Sequence, residues 1–193
     1  MPDSPDDVSR CMALVEPLLH GLYECWDAAD RMYRNSYPSE VIAEHTDSVA
    51  AACRRQHAWM EAQRQFDGVP GCVLKRVRGL NLIILRDAAI LRLKKVNGLG
   101  LHQNYQTEQQ TDFDREEPLL DLPPEAVRLT AGYQLDPTGT VIDRKIVARV
   151  FGRSVLWTAQ INVLADVASW VDITPRRLFG TGAFVIPKRK SGG

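Results

Sequence analysis

The sequence lacks the features that mark a membrane-spanning or secreted protein. No apolar run approaches the length of about eighteen residues that a transmembrane helix needs, and the stretch Leu82–Leu85 is only as long as a strand. Residues 1–7 are acidic and polar, whereas a secretory signal begins with basic residues and an apolar segment. We therefore expect a cytoplasmic protein without a membrane partner.

Cysteine is scarce, and catalytic motifs are missing. The four cysteines (Cys11, Cys25, Cys53 and Cys72) include no pair at CxxC spacing and have apolar neighbours, which favours reduced, mostly buried thiols. The sequence contains no GxSxG, HExxH, Walker or GxGxxG motif. We therefore expect no cofactor and no bound metal.

The chain also lacks net charge, yet its charges are strongly segregated along the sequence. Residues 1–70 carry a net charge of −6, residues 71–100 of +6, residues 101–125 of −6 and residues 126–193 of +6. Such blocks predict separate acidic and basic surfaces, which favour macromolecular partners over small substrates. The same pattern also allows the acidic segment 101–125, or the acidic first third, to dock on the basic strands of its own molecule.

Residues 1–70 are predicted to form a helical hairpin. Ser4 can cap a first helix that begins at Pro5, and Pro17 should kink or break that helix. A second helix is expected from about Ser39 to Phe66, with Arg54, Arg55, Glu61 and Arg64 on its polar side. Apolar residues recur every three or four positions and predict the core-facing stripes. These are Val8, Met12, Val15, Leu19, Leu22, Trp26, Ala29 and Tyr33 in the first helix, and Ile42, His45, Val49, Cys53, Gln56 and Met60 in the second.

Strands are predicted after residue 70. Residues 71–100 read as a three-stranded meander, in which Ala89–Val96 is a half-buried strand with Arg92 and Lys94 on its polar side. Residues 101–125 are expected to form an exposed acidic loop with one helical turn. A second meander follows over residues 126–162, with a hairpin turn at Asp136–Gly139. Residues 175–193 read as an irregular basic tail.

Together these elements predict a single α+β domain over residues 1–193. The N-terminal helical hairpin should pack on a mainly antiparallel, curved sheet of about six strands, which could form a half-barrel. The two meanders should join through the acidic loop.

One arrangement resembles a metal-dependent nuclease of the PD-(D/E)XK class. Asp87 follows an apolar strand, Lys94 lies on the next strand, and Glu61 on the preceding helix could add a carboxylate. The second acid of this pattern would fall at position 92, where the chain has Arg92. Because arginine replaces the acid that would bind the metal and adds a positive charge, such a nuclease would be degenerate. The alternative is that Asp87 only closes a surface turn.

A second candidate site is a zinc-like spacing of residues on the second helix. Cys53, His57 and Glu61 follow one another at intervals of four along a helix, a spacing that suits zinc. No second pair of ligands accompanies them, so a core thiol at Cys53 is the plainer interpretation.

A basic face could bind nucleic acid by contacting successive phosphates. Its candidate residues are Lys75, Arg76, Arg78, Arg92, Lys94 and Lys95.

Several short segments resemble a family of small bacterial accessory proteins. They are Leu91–Gly98, Gln103–Tyr105 with Thr107, Gln109–Gln110, Ala131–Asp136 and Gly139–Thr140, within residues 90–160. Genes for such proteins lie beside genes for helix-turn-helix (XRE) proteins fused to an ImmA/IrrE-type zinc-peptidase domain. That arrangement resembles the RosmerTA toxin–antitoxin systems, in which the small protein is the toxin. The resemblance implies an antitoxin-like protein partner.

The sequence thus favours a non-enzymatic interaction protein, the toxin of a bacterial toxin–antitoxin or phage-defence pair. A nucleic-acid-binding module that uses the basic strands is the first alternative, and the degenerate nuclease is the second.

Overall fold

The computed structural model describes residues 5–102, 107–119 and 121–175. The predicted cap Ser4, the segment Gln103–Tyr105 and nearly all of the basic tail lie outside these ranges. Five α-helices lie in the described part: α1 (Pro5–Val15), α2 (Leu19–Ser36), α3 (Ser39–Glu44), α4 (Asp47–Phe66) and α5 (Glu108–Asp114). The strands are β1 (Cys72–Val77), β2 (Leu80–Leu85), β3 (Ala89–Lys95), β4 (Val127–Leu135), β5 (Ile142–Phe151), β6 (Ser154–Leu164) and β7 (Val167–Asp172).

The first helical segment forms as the apolar pattern predicts. Every member of the stripe from Val8 to Tyr33 is buried. The break falls at Pro17, where a 3-10 turn over Glu16–Leu18 separates α1 from α2. Proline lacks the N–H that a continuous helix needs, so the tighter turn accommodates it while the apolar stripe continues on the same side.

The buried face of the second segment differs from the prediction. The segment divides at His45–Thr46, where the Thr46 hydroxyl accepts a hydrogen bond from the backbone N–H of Val49 and caps α4. The side of α4 that packs on α2 and the sheet is a row of alanines around one arginine, not the larger apolar stripe. Its buried residues are Ala51, Arg54, Ala58, Ala62 and Phe66, whereas Val49, Gln56 and Met60 are exposed.

Arg54 explains why hydrophobicity alone selects the wrong face. Its guanidinium pairs with Asp30 of α2 at 2.9 Å and lies 4.2 Å from the centre of the Tyr33 ring. Arg34 and Arg54 also donate to the carbonyl oxygen of Thr140 at the predicted β4–β5 hairpin turn. A partner on another helix thus allows a charged residue to be buried, and the small alanines allow α4 to approach α2 closely.

Matched leucine substitutions test this assignment of the α4 face. Ala58→Leu should lower the free energy of unfolding by about 1–3 kcal/mol, because added methylenes overpack a filled interface. Gln56→Leu, at an exposed position of the same helix, should change it by less than about 0.5 kcal/mol. Urea unfolding of both variants measures the difference, and the opposite ranking would support the face predicted from hydrophobicity.

The seven strands form one sheet in the order β1-β2-β3-β4-β5-β6-β7. All neighbouring pairs are antiparallel except β3 and β4, which run parallel from Ala89–Val127 to Lys95–Tyr133. The α+β architecture and the mainly antiparallel sheet are therefore confirmed. The sheet has seven strands rather than six, and it is uncurled, with β1 and β7 as its two edges, instead of a half-barrel.

The parallel pair changes the role of the acidic segment. A parallel connection must cross over the sheet, so the described residues between β3 and β4 (96–102, 107–119 and 121–126) cover the face opposite the helices. The helix α5 lies in this crossover, and its Phe113 packs with Leu119, Leu122 and Ala126 on Leu82, Ile84 and Ile90 of the sheet. The prediction of an exposed loop is wrong here, because the segment contributes apolar side chains to a second core.

The larger core lies on the other face of the sheet. There α1, α2 and α4 pack on inward side chains of the strands, including Ile83, Leu91, Ala131 and Val147. Since both faces of β3 are covered, this strand is central and buried on both sides.

Candidate functional site

The residues Arg92, Lys94, His102 and Asp114 form a buried charge cluster beneath α5. Arg92 and Lys94 alternate with Leu91 and Leu93 along β3, so they project toward the face that the crossover covers. Both side chains are buried. The prediction that Ala89–Val96 is a half-buried strand with a solvated basic side is therefore wrong. The crossover that covers Arg92 and Lys94, and the Asp114 carboxylate that pairs with Arg92, come from residues that follow β3 in the chain.

Arg92 is the centre of this charge cluster. Its Nη2 donates to Oδ1 of Asp114 at 2.5 Å and to Nδ1 of His102 at 3.3 Å, and its Nε donates to the Thr130 hydroxyl at 3.2 Å. The other ring nitrogen of His102, Nε2, lies 3.1 Å from Oδ2 of Asp114. The guanidinium also stacks over Phe113 at 4.6 Å. Burial lowers the pKa of Arg92, and the nearby Asp114 carboxylate opposes that effect.

Lys94 has no comparable partner. Its side chain is only 4% exposed, and its Nζ makes no hydrogen bond among the described residues. Burial, followed by the positive charges of Arg92 and Arg55, lowers the pKa of Lys94 to about 8, although Asp114 acts in the opposite direction. A buried cation without a hydrogen-bond acceptor is unusual in a folded protein and calls for a specific explanation.

The charge blocks of the sequence meet each other inside the molecule. The basic strands bind the acidic crossover through Arg92–Asp114 and Arg78–Asp112. The basic strand β5 binds the acidic helices through Lys145–Asp27 at 2.9 Å and Arg149–Asp7 at 2.8 Å. Intramolecular docking, one of the two interpretations left open by the sequence, is therefore what the fold displays.

The six candidates for the basic face do not share one exposed surface. Lys75 lies on the face with Arg92 and Lys94, and its Nζ donates to the carbonyl oxygen of Asp121. Arg76 is exposed on β1, and Arg78 occupies the β1–β2 turn with a positive φ. Lys95 points to the helical side, 3.8 Å from Asp47. Arg92 and Lys94 are buried, so Arg76 and Arg78 are the exposed members.

The three nuclease candidates lie in separate places. Asp87 is exposed in the β2–β3 turn, and Lys94 lies near the other end of β3. Glu61 is on α4, on the opposite side of the sheet, where it accepts hydrogen bonds from Arg64 and Gln65. The structure does not bring these residues together.

No further metal ligand from the described residues joins Cys53, His57 and Glu61 on α4. In the described ranges, no three His, Cys, Asp or Glu side chains are grouped so that they could hold a metal ion. The Tyr37 hydroxyl contacts Sγ of Cys53 at 3.7 Å. All four cysteines are free, with Cys11 and Cys25 buried and the other two partly exposed, as the apolar surroundings predicted.

The outer edge of β7 is the second unusual feature. Within the part of the chain that the structure describes, β7 pairs with β6 alone. Ala168 and Trp170 pack on the helical core, so Val167, Ser169 and Val171 alternate with them and lie on the other face. Val167 is 68% exposed and Val171 49% exposed. The strand thus offers unpaired backbone groups beside aliphatic side chains.

Sequence reasoning missed β7 because its turn carries no usual signal. Ala165 and Asp166 form the β6–β7 turn with positive φ values of 47° and 65°, a conformation that glycine or asparagine normally supplies. The alternation Val167, Ala168, Ser169, Trp170, Val171 was the available signal. Without a recognised turn before it, this short run did not suggest a hairpin.

Comparisons with known proteins give no relative from which a role could be transferred. No protein-family model, curated protein or solved structure matches the chain. In residues 5–102, 107–119 and 121–175, none of the helices combines the length and apolar character needed to cross a membrane.

Proposed function

We propose that this chain is a protein-interaction protein whose principal binding surface is the outer edge of β7. A partner would add an extended segment to the sheet there, with backbone hydrogen bonds for affinity and contacts to Val167 and Val171 for specificity. The single observation that supports this proposal is the combination of an edge strand with solvent-exposed aliphatic side chains.

The contrast between the two sheet edges strengthens the argument. Proteins commonly protect an edge strand from unwanted pairing with lysine, arginine or other charged residues. The β1 edge carries Lys75 and Arg76. Between the turn residue Asp166 and the terminal Asp172, the five residues Val167–Val171 of β7 carry no charge, and Leu164 beside them is 82% exposed. An unprotected apolar edge suits a surface that a partner covers.

The proposed partner is an antitoxin-like protein, and the chain is the toxin of a bacterial toxin–antitoxin or phage-defence pair. The resemblance over residues 90–160 supports this part of the proposal. Expression of the chain alone should slow bacterial growth, and co-expression with the protein encoded by the neighbouring gene should restore it. Normal growth under strong expression of the folded chain would contradict the toxin role.

Lysine substitutions test the β7 surface directly. Val171→Lys should weaken binding of the co-expressed partner at least tenfold, because an exposed charge must be desolvated when a strand docks beside it. Val167→Lys should act in the same direction. Calorimetric titration of the purified partner into each folded variant measures the dissociation constants.

Val73→Lys is the matched control on the opposite edge. Val73 is 55% exposed on β1 and is also a valine on an edge strand. Its replacement should leave partner affinity within about twofold, since surface substitutions outside a binding site have small effects. Equal losses in the Val73 and Val171 variants would exclude β7 as the specific surface.

A further inference from the structure

We propose that Lys94 and Arg92 form an internal binding site for one small oxyanion, such as phosphate, sulfate or a carboxylate. The site would lie on the crossover side of the sheet, separate from the protein-binding edge of β7. It depends on buried cationic atoms that the rest of the charge cluster does not satisfy.

The available donors lie on one strand face. Lys94 follows Arg92 by two positions on β3, so both side chains project beneath the crossover. Besides Nζ of Lys94, Nη1 of Arg92 is buried and makes no hydrogen bond among the described residues. An ammonium beside a guanidinium N–H matches the charge and hydrogen-bonding needs of an oxyanion.

The nearby acid does not neutralise this pair. Asp114 is the buried carboxylate of the cluster: its Oδ1 accepts from Arg92, and its Oδ2 lies 3.1 Å from Nε2 of His102 without a hydrogen bond to any described residue. The neighbouring Arg128 is also buried, but it donates to backbone carbonyl oxygens of Asp112, Phe113 and Glu117. Among the described residues, Lys94 is therefore a buried positive charge without a hydrogen-bonded counterpart, and an anion would supply the missing acceptor.

The charges that face Lys94 set the pH dependence of the site. Arg92 on β3 and Arg55 on α4 add positive charge, while Asp114 on α5 adds negative charge. Because the pKa of Lys94 is about 8, an anion should bind most tightly below that pH, where the amine is charged. Affinity should fall as the pH rises above 8.

Inorganic phosphate is the first probe. Calorimetric titration of the full chain at pH 7, in a buffer free of other oxyanions, should give saturable binding with one site. Lys94→Met should weaken that binding at least tenfold. Lys95→Met is the control, because Lys95 is the next residue but points to the helical side of the sheet, and it should leave the dissociation constant within about twofold of wild type.

Sulfate and acetate titrations identify the preferred oxyanion. A general salt effect would stabilise wild type and both variants alike, because phosphate and sulfate also strengthen burial without a specific site. Saturable binding by wild type and Lys95→Met, weakened in Lys94→Met, supports the site. Absence of saturable binding in wild type, or equal affinity in Lys94→Met, overturns it.

A measurement on the unsubstituted protein avoids dependence on the Lys94 variant. NMR titration of ¹³C-labelled lysine should show that phosphate raises the pKa of Lys94, since a bound anion favours the charged ammonium. An unchanged Lys94 titration in saturating phosphate would contradict the proposal.

Discussion

Replacing Asp114 with alanine should lower the free energy of unfolding by about 3–5 kcal/mol, the usual effect of leaving a buried ion-pair partner uncompensated. Arg92 would keep its charge beneath α5 while losing the carboxylate to which it donates. His102 would lose the same partner at 3.1 Å. Urea unfolding at pH 7, followed by circular dichroism, measures the change.

Asp112→Ala provides the matched control for that prediction. It removes an aspartate from the same helix, but its partner Arg78 is largely exposed and lies 3.5 Å away. Exposed ion pairs contribute about 0–1 kcal/mol, so this variant should remain close to wild type. A small loss for Asp114→Ala as well would show that the crossover does not depend on the buried pair.

Lys94→Met should have the opposite effect and stabilise the protein at pH 7 by about 3 kcal/mol. The magnitude follows from the lowering of the Lys94 pKa from 10.5 to about 8. A methionine of similar length would fill the same space without a buried charge. Unfolding should be measured in a buffer without phosphate or sulfate, since a bound oxyanion would stabilise the wild type.

The difference in unfolding free energy between wild type and Lys94→Met should depend on pH. Below pH 8 both the folded and unfolded states of the wild type carry the Lys94 proton, so the full burial penalty is present. Between pH 8 and 10.5 only the unfolded lysine stays protonated, so wild-type stability rises with pH relative to Lys94→Met. Above pH 10.5 the advantage of the variant should vanish. A gain that is the same at pH 7 and pH 11 would indicate better packing, not relief of a buried charge.

The Asp114→Ala and Lys94→Met variants distinguish a buried charge that stabilises the fold from one that is available for binding. Asp114 and Arg92 hold the crossover on the sheet, so removing the acid weakens the fold. Lys94 should destabilise the fold because burial lowers its pKa, yet it lies on β3, which is covered on both faces, and strongly perturbed pKa values are typical of functional sites. Comparing the three variants with and without phosphate therefore tests the fold and the proposed anion site independently.

The local sequence pattern was sufficient to predict several elements of the fold. The spacing from Val8 to Tyr33 determined the buried face of α1 and α2, and Pro17 determined where the helix breaks. The turn at Asp136–Gly139 determined the β4–β5 hairpin, in which Gly139 has a φ of 76°. Each of these features depends on residues within a few positions of one another, so no distant contact had to be known.

The candidate sites depended on distant contacts instead. Arg92 and Lys94 belong to an alternating pattern that is typical of a solvated strand face, and only the parallel pairing of β3 with β4 sends the acidic crossover over them. The same holds for α4, where Asp30 allows Arg54 to occupy the buried side. A charged residue is buried only when a partner arrives from elsewhere, which a local pattern does not contain.

By itself, the sequence determined the helical first third, six of the seven strands, the break at Pro17 and the alternation of acidic and basic blocks, because those properties follow from neighbouring residues. Only the tertiary structure decided that, among the described residues, acidic and basic blocks pair with each other, that Nζ of Lys94 has no hydrogen-bond partner and that β7 has an open apolar edge. Those outcomes follow from strand order and from which face each segment covers, and both are set by the packing of the whole chain.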